Sequence, residues 1–319
     1  MKPTAEAVQR FAADLDSLTA EGERVAVAVS GGPDSLALLL LAAAARPGLV
    51  DAATVDHGLR EGSRAEAEMV AELCATLGVH HDILTADWIV PPTANIQAEA
   101  RTMRYRLLAG WAEQRGIPAL ATAHHADDQA ETLLMRLARG AGVRGLGGVR
   151  TRRKLTEQLM LVRPLLTWRK SELVVFVEAA GLKAIDDPGN RDPRHDRSRI
   201  RQVLEQADWA DPARLAASAA ALRDADEALD WALAPLVEAR LHRVDDGISI
   251  DPSRLPRELQ RRLLSAAFAE LGASSPRGPE LMRALAVLEA GGTATLSGLL
   301  MIGGAKWRVS PEPPRLHGH

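Results

Sequence analysis

The six residues Ser30-Gly31-Gly32-Pro33-Asp34-Ser35 stand between a β-branched run, Val25 to Val29, and an apolar stretch with helical character. Gly31 and Gly32 carry no side chains, so backbone N–H groups there can approach an anion closely. Ser30 and Ser35 add hydroxyl donors, and a helix opening at Pro33 contributes the partial positive charge of its N-terminus. This is chemistry for a phosphate. Asp34 would repel a phosphate unless a cation lay between them, so the loop predicts Mg²⁺ held by Asp34. An ordinary N-capped strand–helix turn is the competing reading, because Ser and Asp both cap helices well. No G-x-x-x-x-G-K-[ST] sequence occurs, so this is not a Walker loop. Gly140-Ala141-Gly142-Val143-Arg144-Gly145 does spell G-x-G-x-x-G, yet it follows a helical pattern rather than a strand. It reads as a helix C-cap and a flexible basic loop.

A second concentration of chemistry is His124-His125-Ala126-Asp127-Asp128-Gln129-Ala130-Glu131. Asp128 and Glu131 are i and i+3 on a helix, so the two carboxylates share one face and invite a cation. An ammonium group fits there as well as a metal ion does, and simple helix capping is the third option. Arg101 and Arg104 are likewise i and i+3, placed to reach a phosphate together or to pair with acids such as Glu99. Arg197 and Arg201, at i and i+4, repeat the arrangement. Asp56 and His57 end a strand near the glycine loop. Cys74, mid-helix on an apolar face, reads as core.

Positioning these groups requires a particular scaffold. Short apolar runs at 25–29, 49–55, 81–84 and 119–123 alternate with helical patterns at 35–46, 61–77, 97–115 and 127–139, after an initial helix at 4–18. A fifth strand is expected over Leu159–Leu165, followed by a helix over Arg169–Ala180. Such alternation predicts an α/β domain: a parallel five-stranded sheet with helices on both faces, whose strand ends carry the motifs. A turn-rich stretch near Asp186–Asp196 leads into alanine- and leucine-rich helical sequence through Arg240. Helices at Pro256–Leu271 and Pro279–Ala290 follow, and Thr293–Val309 suggests one or two strands. Two domains are therefore expected, 1–200 and a mostly helical 201–319 with a short strand-rich tail.

Composition narrows the function classes. Of 319 residues, 46% are hydrophobic and 25% charged, which excludes a disordered chain. One cysteine excludes a disulfide framework, a cysteine zinc site and an iron–sulfur cluster borne by this chain alone. The longest apolar run is too short to cross a bilayer, and the first residues do not read as a secretory signal, so a cytoplasmic location is expected. Net charge is −3, but nine Arg and Lys face one acid between Arg139 and Lys170, and five more arginines fall between Arg191 and Arg201. Solvated arginines are the bland explanation; a polyanion-facing surface fits the local excess better.

Taken in order, the motifs resemble those of the pyrophosphate-loop ATP pyrophosphatases, whose fold is adenine-nucleotide α-hydrolase-like. They are Ser30–Ser35, Val55-Asp56-His57-Gly58-Leu59-Arg60, Asn95–Arg101 with Arg104-Tyr105, and His124–Thr132. Arg139-Gly140, Arg163-Pro164-Leu165-Leu166, Asp187-Pro188-Gly189-Asn190 with Asp192, and Arg197-Ser198-Arg199-Ile200-Arg201 complete the set. Within that family the combination is similar to the tRNA(Ile)-lysidine synthetases over roughly residues 20 to 201, in their short form. Departures are His195, where many relatives have an aromatic residue, and Ser198, where they have Asn. The resemblance implies ATP-dependent joining of free lysine to carbon-2 of the wobble cytidine of an isoleucine tRNA with a CAU anticodon. An adenylated cytidine would be the intermediate, and AMP and pyrophosphate the by-products. It further implies that Ser30–Ser35, Asp56 and His57 bind ATP and that Asp128 and Glu131 hold the substrate lysine. Asp34, Arg104, Asp128 and Glu131 would serve catalysis, while Arg101, Arg139, Arg197 and Arg201 would face tRNA or phosphate. The first domain would be catalytic and the second would bind tRNA. Whether the chain works alone or as a homodimer is left open. The rivals are tRNA thiolation, which needs reactive cysteines, a glutamine-dependent synthetase module, and a non-catalytic nucleotide sensor.

Overall fold

The computed structural model describes residues 3–58, 62–88, 96–184, 196–274, 276 and 278–313. By its contacts the chain forms two units, one of residues 1–139 and 146–220, the other of 140–145 and 221–319. The crossover along the chain thus falls about twenty residues later than the expected boundary at 200, with an early excursion at the glycine-rich loop.

In the first unit α1 (Ala5–Asp16) precedes β1 (Val25–Ala28), α2 (Pro33–Ala45), β2 (Val50–Asp56), α3 (Ser63–Leu77) and β3 (His80–Thr85). Next come α4 (Ile96–Gln114), β4 (Ala119–Ala121) and α5 (Ala126–Leu137); the single turn α6 (Val143–Leu146), which belongs to the second unit up to Gly145, interrupts this first unit. β5 (Arg152–Lys154), β6 (Met160–Val162), α7 (Lys170–Ala179), α8 (Asp196–Gln206) and the start of α9 (Pro212–Arg240) complete it. The strands lie in the order β3-β2-β1-β4-β6-β5, all parallel except β5, which runs antiparallel to β6. β1 and β2 are buried along nearly their whole length, which is why they read as continuous apolar runs and not as alternating ones.

Helix α2 is apolar all round because it is enclosed. Leu36, Leu38, Leu39 and Leu41 are fully buried between the sheet, α1 and α7. Each such side chain contributes about 1.5–3 kcal/mol on burial. A separate apolar layer, with Tyr105, Leu108 and Ala112 of α4 and Leu120 and Leu161 of the sheet, covers another face. The sheet therefore has helices on both sides, as expected. Its sixth strand was not expected. Arg152, Arg153 and Lys154 are all exposed charges; the strand pairs with β6 through its backbone, and charges on such an edge discourage further pairing.

The second unit contains the rest of α9, then β7 (Leu241–Val244), β8 (Gly247–Ile250), α10 (Arg257–Glu270), α11 (Gly278–Glu289), β9 (Thr293–Leu296), β10 (Leu299–Ile302) and β11 (Trp307–Pro311). The helices α10 and α11 fall where the sequence places them. The strands exceed the expected one or two: five form an antiparallel sheet in the order β7-β8-β11-β10-β9. β7 and β8 are joined by a tight turn in which Asp245 takes a positive φ of 43°. Phe268, Leu285, Met301 and Trp307 pack in the core between that sheet and the helices. No helix among the described residues is long and apolar enough to cross a membrane.

Candidate active site at the strand ends of the first unit

β1 is the point where the sheet order turns: β2 and β3 lie on one side of it, β4 and β6 on the other. Loops leaving the carboxyl ends of β1 and β4 diverge there and leave a crevice, the usual ligand position in an open parallel sheet. A cavity of about 940 Å³ occupies this place. Its lining includes Ser30, Gly32, Pro33, Asp34 and Ser35 from the β1–α2 loop, and His57 beyond β2. Arg101, Arg104 and Tyr105 of α4, His124 and Asp128 after β4, Lys170 of α7, and Arg197 and Arg201 of α8 also reach it.

The glycine loop is built as an anion cradle. Gly31 has φ +80°, a conformation that a side chain would strain, and Gly32 caps α2 with Pro33 in its first turn. Ser35 Oγ accepts from the Ser30 amide at 3.1 Å and donates to the Gly32 carbonyl at 2.9 Å, which closes the loop on itself. The first-turn amides of α2 have no acceptor within the helix and remain available to a ligand. Asp34 Oδ1 is buried and has no hydrogen-bond partner among the described residues.

His125 organises the acids. It is 2% exposed; its Nε2 lies 3.5 Å from both Asp34 Oδ2 and Asp128 Oδ2, and its Nδ1 lies 3.5 Å from Asp127 Oδ2. Burial disfavours its charge, but Asp128, Asp127 and Asp34 outweigh that and raise its pKa to about 10. An imidazolium thus sits between the phosphate loop and the acids of α5. Burial likewise opposes ionisation of Asp128, yet His125 and Arg197 hold its pKa below the usual carboxylate range. Asp127 faces away from the cavity, accepting from the Lys170 amide at 2.8 Å and from Arg169, so it ties the start of α7 to α5. His124 behaves in the opposite way from its neighbour: burial pushes its pKa down and keeps it neutral.

The other expected residues divide by position. Glu131 was paired with Asp128 by helical spacing, but it does not line the cavity. Its Oε1 accepts from Arg201 Nε at 2.7 Å, and Arg197 Nε lies 2.9 Å from its Oε2, so it anchors α8 to α5. Arg197 and Arg201 still reach the cavity. The Asp56 carboxylate folds back onto the Gly58 amide and the Ser63 hydroxyl, 3.0 and 2.6 Å away, and these bonds lower its pKa. His57 does line the cavity, and burial and nearby Arg104 keep it neutral. Arg104 has no carboxylate within ion-pairing distance among the described residues. Arg139 lies outside the cavity, 2.6 Å from Asp196. Lys170 belongs to the site without having been singled out, and His125 and Tyr105, both named within motifs, were given no role of their own. For His125 the signal was present, a histidine at a strand end beside three acids. Leu59, Arg60, Asn95, Asp187–Asp192 and His195, all named in the motifs, lie outside the described residues.

A sulfur-carrying role has no support in this geometry. Cys74 is fully buried in the core, away from the cavity, and burial raises its thiol to about 12. Among the described residues no cluster of three or more His, Cys, Asp or Glu side chains is arranged to hold a metal ion by itself.

Comparison with known proteins sharpens the picture. A family model described as a PP-loop domain matches residues 3–207. A tRNA(Ile)-lysidine synthase of Novosphingobium aromaticivorans is 47% identical over 318 residues, covering 96% of this chain and 94% of its own. Another, from Zymomonas mobilis, is 41% identical and covers 92% and 89%. Among solved structures, a U34-tRNA thiolase, NcsA from Methanococcus maripaludis, aligns with a TM-score of 0.55 at 19% identity, covering 68% of this chain and 78% of its own. At that identity the likeness concerns the fold alone.

Proposed function

This chain belongs to the tRNA(Ile)-lysidine synthase family, and from that premise we propose how its cavity performs the ligation. The substrates are ATP, free lysine and an isoleucine tRNA with a CAU anticodon. In the first step the carbon-2 oxygen of the wobble cytidine attacks the α-phosphorus of ATP, and the bond to pyrophosphate breaks. The Ser30–Ser35 loop receives the departing pyrophosphate through backbone amides and hydroxyls. Arg104, a cation in the cavity with no acid beside it among the described residues, steadies charge on the α-phosphate. In the second step the lysine ε-amine attacks carbon-2, the carbon–oxygen bond breaks, and AMP leaves with that oxygen. The ammonium is oriented by Asp128, and the proton it sheds passes to Asp128 or to water. Glu131 acts one layer back by fixing Arg197 and Arg201.

The observation that carries this reading is the single cavity in which an anion cradle and a carboxylate suited to an ammonium are joined by His125, 3.5 Å from Asp34 and from Asp128. The buried, unpartnered Asp34 Oδ1 suits a hard cation. Mg²⁺, which Asp34 would hold, would supply charge neutralisation for the departing pyrophosphate. ATP and tRNA as substrates support a cytoplasmic activity. The second unit, with Arg139 and the other surface arginines, is assigned to gripping tRNA. Asp34→Asn tests the core of the scheme. Pyrophosphate release that depends on tRNA should fall by at least a hundredfold. Release at the wild-type rate would remove Asp34 from the mechanism, and a wild-type protein that binds ATP but releases no pyrophosphate would be a sensor.

A further inference from the structure

The chain has one tyrosine, and three arginines gather on it. The guanidinium carbons of Arg101, Arg104 and Arg153 lie 5.1, 5.5 and 5.7 Å from the centre of the Tyr105 ring. Arg101 Nη2 is also 3.4 Å from the Tyr105 hydroxyl. A fourth, Arg163, is 4% exposed and faces the same hydroxyl; its Nη1 donates to the Arg150 carbonyl at 2.6 Å. Its Nε is buried with no hydrogen-bond partner among the described residues.

Four like charges around one ring repel one another, and the face of a single phenol offsets only a small part of that repulsion. No carboxylate among the described residues pairs with Arg101, Arg104, Arg153 or Arg163. An arginine cluster assembled on an aromatic platform, with its acids absent and one buried donor unspent, is complementary to a bound anion. Its extent says which. Arg101 and Arg104 line the cavity, whereas Arg153 stands exposed on the edge strand β5, outside it. Pyrophosphate confined to the glycine loop inside the cavity leaves Arg153, outside the lining, without an anion, whereas a polyphosphodiester leaving the cavity supplies one.

We propose that Arg101 and Arg153, set on the Tyr105 ring, seat a backbone phosphate of single-stranded RNA next to the nucleotide inserted into the cavity; Arg104 stays with the α-phosphate of ATP, and Tyr105 is the positioning residue that spaces the guanidinia. The proposal rests on the reading that the substrate is a tRNA loop, and it adds the place where that loop exits.

Arg153→Gln is the decisive variant, because the side chain is exposed and β5 pairs through its backbone. Binding of unmodified isoleucine tRNA transcript is measured by anisotropy across a salt series without ATP or lysine, and ATP binding is measured separately. The expected result is tRNA affinity lower by about five- to tenfold and a salt slope smaller by about 0.7, the share of one phosphate contact on a single strand, with ATP affinity unchanged. Tyr105→Phe should retain most of the tRNA affinity and Tyr105→Leu should lose it to a similar degree. Unchanged tRNA affinity and slope in Arg153→Gln would overturn the proposal. Weaker ATP binding, alone or with weaker tRNA binding, would assign the cluster to the nucleotide and overturn it equally. Because no chemistry is required, failure of lysine ligation would not mimic either result.

Discussion

Substituting Asp128 and Glu131 separately should resolve two carboxylates that the helical spacing makes look equivalent. Asp128 lines the cavity, and the amide of His125 donates to its Oδ2 at 3.1 Å. Asp128→Asn preserves shape and removes the charge facing the lysine ammonium. One hydrogen bond to a charged group contributes about 1.5–3 kcal/mol, so the KM for lysine should rise about ten- to a hundredfold. If Asp128 also takes the proton, kcat falls with it. Glu131 is 2% exposed and paired with Arg197 and Arg201. Breaking a fully buried ion pair from one side costs about 3–5 kcal/mol. Here the arginines are 42% and 29% exposed, so water recovers part of that. A loss of about 1–3 kcal/mol is expected for Glu131→Gln, and each kcal/mol lowers Tm by about 2–4 °C in a unit of this size. Lysine titrations at saturating ATP and tRNA, together with thermal unfolding, read both effects. A Glu131→Gln protein with unchanged Tm and a lysine KM raised as far as in Asp128→Asn would refute the division of roles.

Two further predictions concern titrating groups. With its thiol raised to about 12, Cys74 has a thiolate fraction of about 10⁻⁴ at pH 8; the native protein should resist a thiol-specific chromophore that labels one thiol per chain after denaturation. Rapid labelling of the native protein would contradict the core placement. Asp56 has a folded pKa below its ordinary value, so its contribution is complete above the usual carboxylate range and is lost as pH falls through the folded value. Asp56→Asn should therefore be less stable than wild type in urea at pH 7, with the gap closing in acid. A gap that widens in acid would reverse the sign of the argument.

What could be read from the sequence depended on how local its cause was. Ser30–Ser35 is legible because strand, glycine turn and helix start are all contained within a dozen residues. The parallel order is legible for a similar reason, since β1, β2 and β4 are buried on both faces and show as apolar runs. β5 is invisible to that logic: Arg152, Arg153 and Lys154 form a strand only because β6 offers its edge. β7 and β8 are only four residues each and joined by Asp245-Asp246, too short for an alternating pattern to mark them between the helix ending at Arg240 and the one beginning at Pro256. At the site, Asp128 and Glu131 share a helix face as spacing requires. Only the docking of α8, whose Arg197 and Arg201 lie 66 and 70 residues further along, gives Glu131 two arginine partners and leaves it off the cavity wall. The charge on His125 is only partly non-local: Asp128 and Asp127 stand beside it in the chain, and Asp34 arrives from a different strand end.

The central claim is that one cavity first adenylates a tRNA base and then exchanges the adenylate for lysine. Incorporation of radiolabelled lysine into unmodified isoleucine tRNA with a CAU anticodon, with and without ATP and Mg²⁺, tests it most directly. The account predicts acid-precipitable label that requires ATP and survives mild alkaline deacylation, as lysine bound to a base does and a terminal ester does not. Pyrophosphate release that depends on tRNA, with no lysine incorporated, would contradict it by leaving the adenylation in place and removing Asp128 as the seat of a lysine ammonium.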